Sequence, residues 1–296
     1  MKYKVAELIL NVSGEILSAA VKKIKGFDTF LIEESDPCFN SREDVKYIFI
    51  GEEDMPQRGE LLYTCRTDEG SVNRFYNTPD GYFFESVSRL GNYSSDKEAT
   101  TYLWNKFGCK EVYICGNINP FELKFALWIG FGLVALKHSV AAIHSSCIVC
   151  KDKAVLFLGE SGTGKSTHTR LWRECIPGAF LLNDDSPIIR IKEGKPYVYG
   201  TPWSGKTHCY RQECYPLAAC VRLSQAPHNK ISKLPIVSAY GAIHPSFAPD
   251  FAYSNQLYNM VSEIIGDVLA NVPCYHLECL PNTQAAQLSY KHCINE

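Results

Sequence analysis

Apolar and polar positions divide the chain into two regions of different rhythm. From Lys2 to about Cys115, short apolar or alternating runs, KVAELILNV, TFLIEE, KYIFIG, ELLYTC and GYFFESVS, are separated by turn formers such as Thr78-Pro-Asp-Gly81. That spacing predicts a β-rich region. After Gly116-Asn-Ile-Asn-Pro120 a helix is expected from Phe121 to about His138, then a strand-like AIHSSCIVC, a turn at Lys151-Asp-Lys153 and a compact strand, AVLFL. The apolar runs FLLN, PIIRI, YVYG and CVRL recur ahead of two helical segments, about Asn255 to Asn271 and Asn282 to His292. The expected class is α/β, with a β-rich N-terminal domain over 1–115 and a second domain over 116–296.

Composition narrows the partners. The 296 residues are 46% hydrophobic and 21% charged, with a net charge of -2. No general attraction to nucleic acid or an anionic membrane is expected from that balance. FALWIGFGLVAL, Phe125 to Leu136, stops well short of the roughly 20 apolar residues a bilayer crossing needs. MKYKVAELILNV places Glu7 inside its apolar run and has no small-residue cleavage site, unlike a signal peptide. Thirteen cysteines, an odd number without a regular framework, point to free thiols in a reducing, cytoplasmic setting. Cys147 and Cys150 form a C-x-x-C inside a strand-like run, where side chains three apart face opposite ways and share a metal poorly.

Two stretches fit the phosphate-loop pattern G-x-x-x-x-G-K-[ST]: GESGTGKS, from Gly159 to Ser166, and GTPWSGKT, from Gly200 to Thr207. The first follows the strand AVLFL and precedes STHTRLWREC, which has helical spacing and no proline before Pro177. Strand, glycine loop and helix in that order turn backbone N–H groups toward one anion at a helix N-terminus. Lys165 then reaches the terminal phosphates and Ser166 offers its hydroxyl to Mg²⁺. The second stretch carries Pro202, which has no N–H to donate, and bulky Trp203, and Pro216 follows before any long helix. It reads either as an ordinary turn around a buried tryptophan or as a rim loop, with Trp203, Lys206 and Arg211 beside the substrate.

In AFLLNDDSPIIR an apolar strand ends in Asp184-Asp185. One carboxylate can hold Mg²⁺ while the other accepts a proton from an attacking hydroxyl, as phosphoryl transfer requires. The alternative is a solvated turn, since Asn183 to Pro187 are all turn formers.

His144, GESGTGKST and the Asn183-Asp-Asp185 triplet together resemble the catalytic core of the HPr kinase/phosphorylase family, and more distantly that of ATP-dependent phosphoenolpyruvate carboxykinases. TPWSG, Thr201 to Gly205, and Arg211 resemble segments of HPr-kinase-like proteins. The likeness spans about 120–225, with a weaker echo in CLPNTQAAQL. It implies a P-loop kinase core with a mixed, curved sheet, using ATP and Mg²⁺. By resemblance Gly159, Glu160, Ser161, Gly162, Thr163, Gly164, Lys165, Ser166 and Thr167 grip the nucleotide phosphates. His144 lies near the transferred phosphoryl group, the alternative being a satisfied histidine at a strand end. One of Asp184 and Asp185 is the general base and the other a metal-shell acid, and the favoured arrangement has Asp184 as base and Asp185 with Ser166 on the metal. The glycine-rich signature that follows the Asp pair in authentic HPr kinases is missing, which argues against the protein HPr as acceptor. The expectation is a kinase for a hydroxyl on a small molecule or a protein serine. A module that senses ATP without turnover is the alternative, and a homo-oligomer is compatible with the family.

Overall fold

The computed structural model describes residues 1–67, 70–89, 98–205 and 207–294. The chain separates into two compact units, Met1–His138 with Asp250–Tyr258, and Ser139–Pro249 with Asn259–Glu296. The division falls further along the chain than the boundary near 116, because the helix after Pro120 packs on the first sheet.

The first unit contains β1 (Lys2–Val5), β2 (Leu8–Ser13), α1 (Glu15–Val21), β3 (Val45–Phe49), β4 (Glu60–Arg66), β5 (Val72–Thr78), β6 (Gly81–Arg89), β7 (Glu98–Lys106), β8 (Glu111–Gly116) and α2 (Pro120–Ala135). Its strands form one sheet in the order β1-β2-β3-β8-β7-β6-β5-β4. The β2–β3 and β3–β8 pairs are parallel and the others antiparallel. KVAELILNV is a hairpin rather than a single strand: Ala6 and Glu7 both take positive φ, 49° and 64°, as a two-residue turn with the right twist demands. TFLIEE is not a strand. Asp28–Phe30 is a 3-10 turn, and Leu31 forms only an isolated bridge to Tyr3; Phe30 and Ile32 are instead buried as anchors.

Asn119 caps α2, its side chain accepting from the N–H groups of Phe121 and Glu122 at 2.9 and 3.3 Å, with Pro120 in the first turn. The helix is buried along most of its length, which explains why its sequence is apolar on nearly every side. At Gly130 an added Cβ would lie 2.7 Å from Val112 Cγ1 and 3.0 Å from Leu103 Cδ1. The missing side chain lets the helix axis approach the sheet. Asp250–Tyr258 returns to this unit through Phe251, which packs near Phe75, Tyr253, stacked on Tyr63 at 4.8 Å, and Ser254, 2.7 Å from the Tyr82 hydroxyl.

The second unit runs through β9 (Val140–Ala142), β10 (Ser146–Cys150), β11 (Lys153–Leu158), α3 (Lys165–Cys175), β12 (Phe180–Asn183), β13 (Ile188–Lys192), β14 (Lys195–Tyr199), β15 (Cys214–Gln225), β16 (Lys230–Lys233) and α4 (Ile236–Ile243). It ends with α5 (Asn255–Asn271), whose first turn belongs to the other unit, β17 (Cys274–Cys279) and α6 (Thr283–Ile294). The sheet order is β12-β10-β11-β15-β14-β13-β9, with β17 on β15 and β16 on β17. β15 changes partners along its length. Cys214 to Pro216 pair antiparallel with β14, whereas the residues from Leu217 onward run parallel to β11 and β17. Pro216 sits at the handover, where a missing N–H is tolerated.

The helices α3 and α6 cover one face of this sheet. Ile148, Phe157, Trp172, Val221, Leu277 and Ile294 are among the residues of that core. Ser289 ties the helices together, accepting from Trp172 Nε1 at 2.8 Å and lying 2.9 Å from His168 Nε2. Burial drives the His168 pKa down to about 4. Cys150 joins this core while Cys147 faces the other way, and all thirteen cysteines are free. Among the described residues, no helix is long and apolar enough to cross a membrane. The molecule is thus mixed α/β with two sheets.

Candidate functional site

β11 ends at Leu158 and α3 begins at Lys165, so GESGTGKS forms the turn from strand to helix that the sequence predicts. Gly162 and Gly164 take positive φ of 82° and 100°, a conformation costly for any residue with a Cβ. Gly164 is the N-cap of α3 and offers no side chain to the first amides. Those N–H groups have no partner within the helix, and the positive end of the helix dipole lies behind them. Thr163 stiffens the loop, its backbone N–H and its hydroxyl both donating to the Glu160 carbonyl, at 3.2 and 2.8 Å. Glu160, Ser161 and Ser166 are exposed, and Thr167 is half-buried.

Lys165 is buried under this loop. Its Nζ donates to the carbonyls of Gly159 and Glu160 at 2.7 and 3.1 Å and lies 3.1 Å from His144 Nε2. Burial lowers its pKa, an effect opposed by the charges of Asp185 and Asp184. His144 follows β9, its backbone N–H held by the Ser246 carbonyl at 2.6 Å. The far side of its ring, Nδ1, is 3.5 Å from Asp185 Oδ1. Lysine, histidine and carboxylate thus form a continuous line across segments well separated in sequence.

The acid pair follows β12, and Asn183 fixes the turn. Its Oδ1 accepts from the N–H groups of Asp185 and Ser186, both at 2.9 Å. Its Nδ2 donates to Thr201 Oγ1 at 3.1 Å and to the Trp203 carbonyl at 3.0 Å. The two acids meet different surroundings. Asp184 is only 7% exposed; Ser146 Oγ, at the start of β10, donates to its Oδ1 at 2.6 Å, while its Oδ2 is buried without a hydrogen-bond partner. An orphaned carboxylate oxygen is costly unless a cation or donor reaches it. Asp185 has a side chain 36% exposed, with Ser186 Oγ donating to its Oδ2 at 3.0 Å.

GTPWSGKT has no helix behind it among the described residues, where β15 is the next element. It is instead packed against the acid pair. Thr201 Oγ1 donates to the Ser186 carbonyl at 2.8 Å, and a Cβ on Gly205 would sit 3.2 Å from both the Asp184 carbonyl and Asp185 Cβ. Trp203 is 2% exposed, so its ring is part of this support and offers no open face to a substrate. Arg211 pairs with Glu213 at 3.2 Å and lies over the Phe180 ring at 5.0 Å, at the end of β12 away from the acids. Lys206 lies outside the described residues.

Two residues of β15 join the loop without having been singled out from sequence. Gln225 Nε2 donates to the Gly162 carbonyl at 3.1 Å, and Arg222 lies 3.4 Å from Glu160 Oε1. The signal for both was present, since alternation in CVRLSQ sets an arginine beside the strand that feeds the loop, but finding it requires knowing that β15 is the parallel neighbour of β11. Next to the loop a cavity of about 560 Å³ is lined by Gly162, Thr163, Thr167, Leu223, Ala226, Pro227, Leu280 and Pro281, among others. No family model matches the chain, and no curated protein matches it significantly.

Proposed function

We propose that the second unit is an ATP- and Mg²⁺-dependent phosphotransferase of the HPr-kinase-like type, acting on a hydroxyl acceptor. The observation that carries this reading is the convergence of Lys165, His144 and Asp185, with Lys165 Nζ 3.1 Å from one ring nitrogen and Asp185 3.5 Å from the other. A glycine turn alone would explain the loop, but it would not explain why a lysine, a histidine and an adjacent pair of acids from three segments meet behind it. The cavity beside Gly162 and Thr167 has the volume and the mostly apolar walls suited to a nucleoside.

Burial favours a division of labour opposite to the one read from the resemblance. Asp184, pinned by Ser146 and left with one orphaned oxygen, fits the metal shell together with Ser166. Mg²⁺ would draw its remaining ligands from phosphate and water. Bound there, the ion would neutralise charge on the phosphates. Asp185, on the open side and beside His144, takes the proton of the acceptor hydroxyl. The acceptor oxygen attacks the γ-phosphorus, the bond from that phosphorus to the bridging oxygen breaks, and ADP leaves, with Lys165 and the loop amides holding the departing charge.

The test is ADP release with Mg·ATP across a panel of metabolites and serine peptides. Acceptor-dependent ADP is expected, and Asp185→Asn should lower its rate by roughly 10² to 10⁴ while ATP affinity changes little. Tight ATP binding with no acceptor-dependent ADP from a broad panel would replace the enzyme with a nucleotide sensor.

A further inference from the structure

β15 runs parallel to β11, and the register sets Arg222 opposite Leu158, the last residue before the phosphate loop. Successive side chains of β15 face opposite ways. Val221 and Leu223 enter the core under α3 and α6, and Leu223 and Gln225 line the cavity beside Gly162. Arg222 therefore projects from the opposite face, away from the cavity assigned to the nucleoside and toward the start of the loop. There its guanidinium lies 3.4 Å from Glu160 Oε1, and it is close enough to Lys165 to act on that charge.

The pair it makes is weak. The Glu160 side chain is 84% exposed and that of Arg222 23%, and ion pairs so open to water contribute about 0–1 kcal/mol. A polyphosphate offers more charge and several acceptor oxygens, and a planar guanidinium engages phosphate in paired hydrogen bonds. We infer that Arg222 is a second phosphate-binding cation of the site, exchanging the Glu160 carboxylate for oxygens of the terminal phosphates when the nucleotide enters the loop. Glu160 then acts as a competitor that keeps the arginine aimed at the loop. The inference rests on the nucleotide reading above and adds to it which cation meets the phosphates opposite Lys165.

The experiment is titration calorimetry of the full chain with Mg²⁺ and ATP, ADP or adenosine. Arg222→Met should weaken ATP by about ten- to a hundredfold, the usual worth of a hydrogen bond to a charged group, weaken ADP less and leave adenosine unchanged. Arg222→Lys should recover only part of the loss. Glu160→Gln should bind ATP as tightly as the natural chain or tighter. If Arg222→Met binds ATP like the natural chain while Lys165→Met does not, the arginine has no such role and the nucleotide site stands. If Glu160→Gln weakens ATP as much as Arg222→Met does, the ion pair merely braces the loop and the exchange is overturned. Failure of the natural chain to bind ATP at all overturns both readings.

Discussion

Asp184 and Asp185 are adjacent and chemically identical, yet their surroundings separate them more sharply than sequence could. Asp185 is open to solvent on one side and sits beside His144, whereas Asp184 is buried and held by one hydroxyl: Ser146 donates to its Oδ1 at 2.6 Å from a fully buried position. Removing it leaves a buried carboxylate with neither oxygen paired, and such a loss costs about 1–3 kcal/mol. Ser146→Ala is therefore expected to lower stability by that amount in urea unfolding. Ser146→Cys, close to serine in size but a weak donor, should recover little of the loss, whereas a merely steric role for Ser146 would predict that filling the space restores stability.

Elements show where local pattern suffices and where it fails. AVLFL, GESGTGKS and the helix after it lie next to one another in sequence, so their order was legible from spacing alone, and so was the helix over Asn255–Asn271. β15 was visible only as the short run CVRL, because Pro216 interrupts a strand whose two halves serve different partners. TFLIEE has strand composition, yet burying Phe30 and Ile32 as anchors outweighs a ladder it never forms. The roles of Ser146 and Arg222 depend on strand neighbours that periodicity does not reveal. Glycines in helices make the same distinction between local and tertiary causes. Gly130→Ala must push its Cβ into Val112 and Leu103, and overpacking of about 1–3 kcal/mol outweighs the roughly 1 kcal/mol that alanine gains in a helix. Gly266, in α5, has nothing within 4 Å of an added Cβ, so Gly266→Ala should raise stability by about 0.5–1 kcal/mol. Urea midpoints of the two variants should move in opposite directions.

At the scale of the whole molecule, the two units carry buried groups that answer acid with opposite sign. In the second unit His168 is held neutral, its pKa lowered by burial to about 4 from 6.5. Its contribution to stability is complete above pH 6.5 and is lost as pH falls toward 4, because the unfolded chain takes up the proton first. In the first unit Asp250 is buried with both carboxylate oxygens unpaired, near Cys65, Tyr63 and Tyr253. Burial raises its pKa to about 6 from 3.8. The folded state now binds the proton more tightly, so stability from this group is complete below pH 3.8 and is lost as pH rises through 6. Each window is worth on the order of 3 kcal/mol, at about 1.4 kcal/mol per pKa unit. Hydrogen exchange at pH 7 and pH 5 should therefore show protection falling on acidification around α3 and α6 but rising around β4, β5 and the Asp250–Tyr258 segment. Asp250→Asn removes the charge without changing the shape, so it should stabilise the first unit at pH 7 and abolish its gain in acid. If that variant instead loosens the segment at neutral pH, the ionised carboxylate has a partner that stabilises it, and the assignment of the acid response to Asp250 fails.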